Sequence, residues 1–268
     1  MQQFLSSPWG IVLAGWLAGS AIMFILWLVH IGLRNAGIVD VGWSFVMGGL
    51  AVFYAIVADG DPVRRALVGL LGGFWGARLG FYLLKDRVIG RPEDGRYTTL
   101  RAHWGDRATL YFLPFFLAQS LLASILSVPF LLAALHDAAS PSSWDIAAVA
   151  IWMVAQVGES LADWQLVRFK AEPTNRGKTC RAGLWRYSRH PNYFFEWLHW
   201  IAYSVLALPA AFGWIGLASP AIMLYLLFRV TGIPATEAQA IRSRGDDYRE
   251  YQQTTSAFVP WWPKREAK

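Results

Sequence analysis

Charged residues are scarce in this chain of 268 residues, in which Asp, Glu, Lys and Arg together make up only 16%. Soluble domains carry roughly 25%, because a surface in water needs polar and charged side chains. Apolar residues reach 55%, and 15 residues are Trp. The composition argues against a soluble globular protein and predicts that much of the chain is solvated by lipid.

Cysteine is also scarce, since Cys180 is the only one in the sequence. A single thiol excludes an internal disulfide and any zinc site built from several thiolates. The 5 histidines show no HxxxH or HExxH spacing, so no metal site is predicted. Nucleic-acid modules, Gly-rich phosphate loops and internal repeats are missing too. We therefore expect one domain over residues 1–268, with no nucleic acid and no obligate protein partner.

Long apolar stretches dominate the sequence. A spanning helix needs about 20 mainly apolar residues, and the first stretch is too long for a cleavable signal peptide. The predicted spans are residues 9–33, 39–58, 66–84, 110–135, 144–167, 194–208 and 212–230. The last two share one apolar run and are read as a tight helical hairpin. The prediction is an all-α polytopic membrane protein with seven transmembrane helices.

Positive charge is distributed unevenly between alternate loops. If the N-terminus lies outside, one set of loops carries nearly all the Lys and Arg, and the other set holds only Arg64 and Arg65. Cytoplasmic loops collect basic residues, so we predict an outside N-terminus and a cytoplasmic C-terminus. The formal net charge of +6 then lies mostly on one face, where it also attracts anionic membrane lipids.

The densest polar segment precedes the sixth stretch and reads GLWRYSRHPNYFFEW over residues 183–197. Pro191 suits the first turn of a helix, and helix N-termini favour anions. Asn192 and Glu196 are four residues apart and share a helix face. We therefore predict a ligand phosphate near Arg189 and a carboxamide or ribose near Asn192 and Glu196.

Two interpretations of this segment stay open. In the first, it binds a ligand through Arg189, His190, Asn192, Tyr193 and Glu196. In the second, the arginines only orient the protein, while Tyr193 and Trp197 belong to an interfacial aromatic belt. Acids within the apolar stretches favour the first, because a carboxylate inside a membrane helix costs about 2.5–3.5 kcal/mol on insertion scales. Such acids are Glu159, Asp163 and Glu196, and Arg229 with Glu237 repeats the pattern. Snorkelling alone also accounts for Arg229.

A second polar cluster lies nearer the start of the chain. It comprises Asn35, Asp40, Trp43, Arg78 and Tyr82. Asp40 stands at the membrane boundary and is able to donate a proton or hydrogen bond if burial keeps it neutral. The alternatives are a structural ion pair between Asp40 and Arg78 and a plain loop role for Asn35. The polar loop at residues 91–97 either closes over a bound cofactor or is an ordinary solvated loop.

At these residues the chain resembles the steroid 5-alpha-reductase family, in particular its bacterial branch of DUF1295 proteins. The resemblance is best from about residue 155 onward and weaker through residues 35–43 and 78–96. The His-Pro-Asn-Tyr motif at 190–193 is less specific, because membrane sterol reductases and isoprenylcysteine methyltransferases carry similar motifs. The resemblance implies seven helices in a bacterial inner membrane that enclose NADPH on the cytoplasmic side. It also implies hydride transfer to a 3-oxo-4-ene steroid or similar lipid enone, which enters from the bilayer.

The resemblance assigns roles to individual residues. Matched cofactor positions are Asp163, Asn192, Glu196 and Arg229, with Arg91, Tyr187 and Glu237 as further candidates. Lys170 or Lys178 is expected to contact the 2'-phosphate. Asp40 falls where the family has a glutamate that hydrogen-bonds the steroid ketone. The family's partner tyrosine aligns near Trp75, which has no phenol, so Tyr82 is taken as the substitute. Substrate-binding candidates are Asn35, Trp43, Trp75 and Arg78.

Two further classes of function stay open at the level of sequence. One is an S-adenosylmethionine-dependent methyltransferase of the isoprenylcysteine type, which would ignore NADPH. The other is a non-enzymatic lipid transporter, for which inverted repeats with charges at the midplane are expected. The long basic loops, which match the size of a cofactor with two phosphate-bearing halves, favour the reductase.

Overall fold

The computed structural model describes residues 7–139, 141–230 and 232–264. Within these ranges the chain is helical and contains no β-strand, which confirms the predicted all-α class. The helices are α1 Pro8–Leu33, α2 Ile38–Val57, α3 Pro62–Leu83, α4 Gly95–Trp104, α5 Ala108–Leu126, α6 Val128–Leu135, α7 Ser143–Ala171, α8 Pro191–Ala207, α9 Ala218–Arg229, α10 Ile233–Arg244 and α11 Asp246–Thr254.

Among the described residues, 6 helical segments are long and apolar enough to cross a membrane. They are Pro8–Leu33, Ile38–Val57, Pro62–Val88, Gly95–Leu135, Ser143–Ala171 and Gly213–Arg244. The remaining predicted span, residues 194–208, overlaps α8 up to Ala207, and this helix has only 17 residues, slightly fewer than the roughly 20 that a span needs. The chain therefore has the architecture of an integral membrane protein with six candidate spans.

The chain folds into two compact units, and the predicted single domain over residues 1–268 stays a prediction. The first unit contains Met1–Ile146 together with Tyr203–Ser219, and the second contains Ala147–Ala202 together with Pro220–Lys268. The predicted break between the last two spans is present, because α8 ends at Ala207 and a 3-10 turn at Gly213–Leu217 leads into α9.

Local sequence signals fix where several helices begin. The side chain of Ser7 accepts a hydrogen bond from the Gly10 N–H at the start of α1. The carboxylate of Asp61 accepts from the Val63 and Arg64 N–H groups at the start of α3. Proline occupies the first turn of both helices. Side-chain caps satisfy N–H groups that have no partner within the helix, and proline is suited to the first turn.

Helices α2 and α3 approach each other through glycine. A Cβ atom added at Gly76 would lie 2.6 Å from the Cα of Gly48 and 2.7 Å from the carbonyl oxygen of Ser44. One at Gly72 would lie 2.4 Å from the Cβ of Ala51. Small residues let helix backbones approach closely where lipid offers no hydrophobic driving force. The glycines of α3 therefore set the distance between these two helices.

Gly76→Ala is expected to lower the free energy of unfolding by about 1–3 kcal/mol, because the added methyl group cannot fit without moving α2. Gly49→Ala is the matched control, since a Cβ atom there meets no other atom within 4 Å. Denaturant unfolding of the two variants in detergent measures the difference. Equal stability of the two variants would contradict the close contact.

A buried ion pair joins the start of α3 to the start of α7 within the first unit. The Nε of Arg64 donates to Asp145 at 2.8 Å, and both side chains are only 1% exposed. The carboxylate of Asp145 also accepts from the N–H and hydroxyl of Ser142. Arg64 is one of only two basic residues on the predicted outer side, and this pair neutralises its charge.

In the second unit, the chain after α11 runs back along the turn that precedes α8. We call residues 255–258 the C-terminal segment. The N–H of Arg189 donates to the carbonyl of Ser256 at 2.8 Å. The hydroxyl of Ser188 donates to the carbonyl of Phe258, also at 2.8 Å. These bonds between the segment and the turn hold the His-Pro-Asn-Tyr motif in place at the N-terminus of α8.

Candidate functional site

Polar side chains line the contact between α7 and α8 within the second unit. We call this set the polar seam. It consists of Gln156, Glu159 and Asp163 on α7 and of Asn192, Glu196 and His199 on α8. Spacings of three and four residues place the members along one face of each helix. The predicted helix start at Pro191 is confirmed, so Asn192 and Glu196 do share a face.

Two contacts between the helices connect the seam. The amide nitrogen of Asn192 lies 3.5 Å from a carboxylate oxygen of Asp163. The Nε2 of His199 lies 3.2 Å from a carboxylate oxygen of Glu159. Asp163, Glu159 and His199 are 4%, 2% and 0% exposed. Asp163, Glu159 and His199 are therefore buried between the two helices, whereas Asn192 and Glu196 are half-buried.

The α7–α8 contact is close because a ring fits against a glycine. A Cβ atom added at Gly158 would lie 2.4 Å from ring atoms of Phe195. Trp152 adds an edge-on ring contact with His199, with 5.7 Å between the ring centroids. These contacts hold the two helices together and shield Glu159, Asp163 and His199 from water.

A second cluster of the same unit converges on the carboxylate of Glu237 in α10. Arg189 Nε and Gln252 Nε2 each donate to it at 2.7 Å. The Tyr248 hydroxyl donates at 3.4 Å, and His190 Nε2 lies at 3.2 Å. The structure thus brings together three predicted ligand-binding residues, Arg189, His190 and Glu237, and adds Gln252 and Tyr248, which the sequence did not reveal.

The side chain of Arg189 makes several hydrogen bonds within the protein itself. Its Nη1 donates to the carbonyl oxygens of Gln252 at 2.9 Å and Thr255 at 2.7 Å, and its side chain is 11% exposed. Guanidinium groups with several fixed acceptors act as rigid cross-links. In this structure Arg189 cross-links the motif before α8 to the C-terminal segment, and its predicted contact with a ligand phosphate stays a prediction.

Burial controls the electrostatics around Glu237. Burial lowers the pKa of His190 below its ordinary value, although the negative charge of Glu237 opposes this shift. Burial also raises the pKa of Tyr248, and the charge of Glu237 raises it further. His190 is therefore neutral near neutral pH, and an Nε2–H that faces a carboxylate makes it a hydrogen-bond donor.

The lowered pKa of His190 predicts an acid-sensitive fold. The unfolded state takes up a proton near pH 6.5 and the folded state only at lower pH, so stability is full above about pH 6.5 and falls below it. Unfolding measured at about pH 7.5 and about pH 5.5 is expected to show this loss in the wild type. His190→Gln, which keeps a donor but does not titrate, should lose less. An identical loss in both proteins would exclude His190 as the cause.

In the first unit, Asp40 accepts hydrogen bonds from three donors. Arg87 Nη1 and Arg96 Nη2 donate to one carboxylate oxygen at 2.6 and 2.8 Å, and the Tyr97 hydroxyl donates to the other at 2.6 Å. Asp40 does pair with arginine, as the structural alternative proposed, but the pairing described is with Arg87 and Arg96. The phenol beside Asp40 is that of Tyr97, whereas Tyr82 lies beside Arg78 at 5.8 Å.

The loop that follows α3 is tied down next to Asp40. The Asn35 side chain donates to the carbonyl of Arg87 at 3.1 Å. Glu93 accepts from the Ala36 N–H at 2.7 Å and from Arg101 at 2.8 Å. Burial raises the pKa of the Glu93 carboxyl, but the hydrogen bonds from Arg101 and Ala36 outweigh it and hold the pKa below its ordinary value. The ionised Glu93 therefore orders residues 91–94 of the predicted loop, whereas residues 95–97 form the first turn of α4.

Two of the predicted substrate-binding residues, Trp43 and Trp75, are in contact in the first unit. Trp43 and Trp75 stand edge to face, with ring centroids 6.1 Å apart. Trp75 is 0% exposed and also contacts the ring of Tyr203 at 6.4 Å. The indole of Trp75 thus fills a buried aromatic position in this unit.

The remaining predicted cofactor residues lie at several places. Tyr193 stacks on His190 at 5.3 Å and contacts the Thr236 hydroxyl, while Tyr187 contacts the ring of Trp262. The exposed members of the set are Arg91, Lys170, Lys178 and Arg229. In the described ranges, no group of three His, Cys, Asp or Glu side chains is placed to hold a metal ion.

Two residues that the sequence analysis did not select stand out. His199 is seven residues after Asn192 and three after Glu196, so extending the helical periodicity by one turn would have found it. Tyr97 follows Arg96 in the first turn of α4, and the cap that Asp94 forms on this helix orients both. Only the contact with Asp40 singles out Tyr97.

Comparison with known proteins gives one family and one curated relative. A family model described as "Protein of unknown function (DUF1295)" matches residues 26–255. The relative is "Uncharacterized protein C594.04c" of Schizosaccharomyces pombe, which is 26% identical over an alignment covering 88% of this chain and 76% of the yeast protein. No solved structure matches the chain significantly.

Proposed function

Because the chain belongs to the DUF1295 family, we propose that it acts as a membrane reductase of the steroid 5-alpha-reductase type. In this proposal it uses NADPH to reduce the carbon–carbon double bond of a 3-oxo-4-ene steroid or similar lipid enone. The observation that carries the proposal is the polar seam, because buried acids inside a candidate span are costly and are usually functional.

The seam has the chemistry that a nicotinamide nucleotide needs. Carboxylates accept hydrogen bonds from ribose hydroxyls and from the carboxamide N–H, and an amide both donates and accepts. Asp163, Asn192 and Glu196 supply these groups, and Asn192 lies at the positive end of the α8 dipole, which favours phosphate. The exposed cations Lys170, Lys178 and Arg229 are the candidates for contacts with the phosphates.

The proposed reaction also needs a group that stabilises negative charge on the carbonyl oxygen. A preorganised donor in a site without water does this most effectively. Asp40 and Tyr82 are the candidates from the sequence. Because the Asp40 carboxylate accepts hydrogen bonds from Arg87, Arg96 and Tyr97, its part in this proposal is to position these donors, and the donor itself is Tyr82 or Tyr97. NADPH supplies the hydride when it is bound.

We also propose seven spans, with α8 as the additional one, an outside N-terminus and a cytoplasmic cofactor site in a bacterial inner membrane. Interfacial flanking residues and local thinning of the bilayer accommodate a helix of 17 residues. The Arg64–Asp145 pair supports the orientation, because it neutralises one of the two basic residues on the outer side.

The proposal is tested with purified protein in detergent, NADPH and a 3-oxo-4-ene steroid. NADPH binding followed by fluorescence and a saturated steroid product identified by mass spectrometry are expected. Titration with S-adenosylmethionine is the control, because a methyltransferase would bind that cofactor and ignore NADPH. Absence of both NADPH binding and reduced product would end the proposal.

Glu196→Gln is expected to weaken NADPH binding about tenfold, since a charge-assisted hydrogen bond contributes roughly 1.5–3 kcal/mol. Thermal unfolding should change little, because the amide keeps the shape of the side chain. Glu250→Gln is the matched control, as Glu250 is half exposed and pairs with Arg181 at the surface. Unchanged affinity in Glu196→Gln would remove this residue from the site.

A further inference from the structure

Large apolar side chains are exposed on the chain that follows the C-terminal segment. We call residues 259–264 the aromatic tail. Its Val259, Trp261 and Trp262 are 51%, 70% and 74% exposed. The aromatic tail is not helical, and it lies beyond the last of the candidate spans. Exposed apolar side chains of a spanning helix face the acyl chains of lipid. Those of the aromatic tail need another explanation, because a non-helical backbone exposed to lipid does not occur in the hydrocarbon core.

Hydrogen bonds and a ring contact fix the aromatic tail on the rest of the second unit. The N–H of Trp261 donates to the carbonyl of Tyr187 at 2.9 Å, and the N–H of Lys264 donates to the carbonyl of Thr254 at 2.8 Å. The rings of Tyr187 and Trp262 meet edge to face, with their centroids 5.4 Å apart. The two indoles are thus exposed on a fixed backbone, and exposed apolar patches mark surfaces that bind a protein or a membrane.

The aromatic tail begins beside the end of α9. The ring of Phe258, which directly precedes the tail, lies 5.2 Å from the ring of Phe228, measured between centroids. Phe228 is 39% exposed and is the penultimate residue of α9, which belongs to a candidate span. Arg229 ends this helix, and a cation at the end of an apolar helix reaches toward the membrane boundary. The aromatic tail therefore starts at the level of that boundary.

The composition of the aromatic tail suits the headgroup layer of a membrane. Tryptophan is enriched in this layer, because its ring is apolar and its indole N–H is polar. Pro260 and Pro263 have no N–H, and the N–H groups of Trp261 and Lys264 already have partners. Entry of this backbone into the layer therefore costs few hydrogen bonds to water. The exposed cations Arg186 and Lys264 flank these contacts in sequence, and their charge complements anionic lipid.

We propose that the aromatic tail, together with Arg186, docks on the headgroup layer of a leaflet that contains anionic phospholipid. Val259 and the two indoles enter the boundary between headgroups and acyl chains, and the two cations contact lipid phosphates. This docking is independent of the proposed reductase activity. Because Trp261 is bonded to Tyr187, the docked tail also holds the turn before α8 at the membrane surface.

The position of the aromatic tail is measured with a fluorescent probe on the full chain in phosphatidylcholine nanodiscs. The probe is attached to Val259→Cys, and to Asp246→Cys as the matched control, since Asp246 is 95% exposed at the start of α11. Labelling of the wild type gives the background from Cys180, which is buried. Phospholipid with a spin label on its headgroup is expected to quench the Val259 probe at least about threefold more strongly than the Asp246 probe. Dissolved iodide should show the opposite order.

Nanodiscs that also contain phosphatidylglycerol test the two cations. The anionic lipid is expected to increase quenching of the Val259 probe about twofold, and the double variant Arg186→Gln with Lys264→Gln should lose this increase. Equal quenching with and without phosphatidylglycerol would overturn the role of the cations. A probe on Trp262→Cys repeats both measurements at a second exposed position.

Two other results would overturn the docking itself. In the first, iodide quenches the Val259 probe as strongly as the Asp246 probe while spin-labelled lipid has no effect, which places the aromatic tail in water. In the second, the probe is shielded from iodide but is not quenched by lipid. If that shielding appears only in nanodiscs that hold two copies of the protein, the surface binds a second copy of this chain instead of the membrane.

Discussion

Glu237→Ala is expected to lower the free energy of unfolding of the second unit by about 1–3 kcal/mol, because it leaves several partly buried hydrogen-bond donors without their acceptor. Arg189 would keep its charge at 11% exposure without a carboxylate beside it. His190 and Gln252 would lose an acceptor at the same time. Because Arg189 cross-links the motif before α8 to the C-terminal segment, NADPH affinity should also fall at least tenfold.

Denaturant unfolding and NADPH titration of Glu237→Ala measure the two effects. Glu237→Gln is expected to be intermediate, since its amide oxygen still accepts one hydrogen bond. Glu250→Ala is the matched control, because its pair with Arg181 is half exposed and surface pairs contribute at most about 1 kcal/mol. Similar losses in Glu237→Ala and Glu250→Ala would show that the Glu237 cluster does not hold this unit together.

Most of the membrane-spanning helices could be predicted from the sequence, because long apolar stretches are a strong indication of such helices. Six of the seven predicted stretches correspond to candidate spans. The exception, α8, has a polar first turn and ends before Leu208, so it falls short on length. The division into two units was not predicted, because it depends on which helices contact one another, and the apolar pattern is similar in all of them.

The candidate site was partly predictable for a similar reason. Asn192, Glu196 and Asp163 stand out as polar residues in apolar helices, and helical periodicity gives their faces. The cluster at Glu237 joins residues far apart in the chain, such as Arg189 and Gln252. Contacts of this kind depend on how different helices pack against one another. The periodicity of residues within one helix carries no information about that packing.

Asp40→Asn is expected to lower steroid reduction about 10²–10³-fold, the range for one preorganised donor, because the carboxylate holds the Tyr97 hydroxyl in position. The carboxylate is the shared acceptor of Arg87, Arg96 and Tyr97, so the variant removes the negative charge that holds these three donors together, although Arg96 keeps its ion pair with Asp94. The loop after α3 should therefore become more susceptible to proteolysis, while NADPH binding by the second unit is expected to stay intact.

Two phenylalanine variants then decide which phenol takes part. Tyr97→Phe keeps the ring contacts with Phe112 and Phe115 and removes only the hydroxyl on Asp40, whereas Tyr82→Phe leaves Asp40 untouched. If Tyr97 is the donor that acts with Asp40, Tyr97→Phe reproduces most of the loss seen in Asp40→Asn, and the double variant adds little to it. A large loss in Tyr82→Phe with a normal Tyr97→Phe would assign the role to Tyr82, as the sequence predicted. Steady-state kinetics in which kcat and KM are measured separately distinguish a lost donor, which lowers kcat, from a disordered loop, which also raises KM.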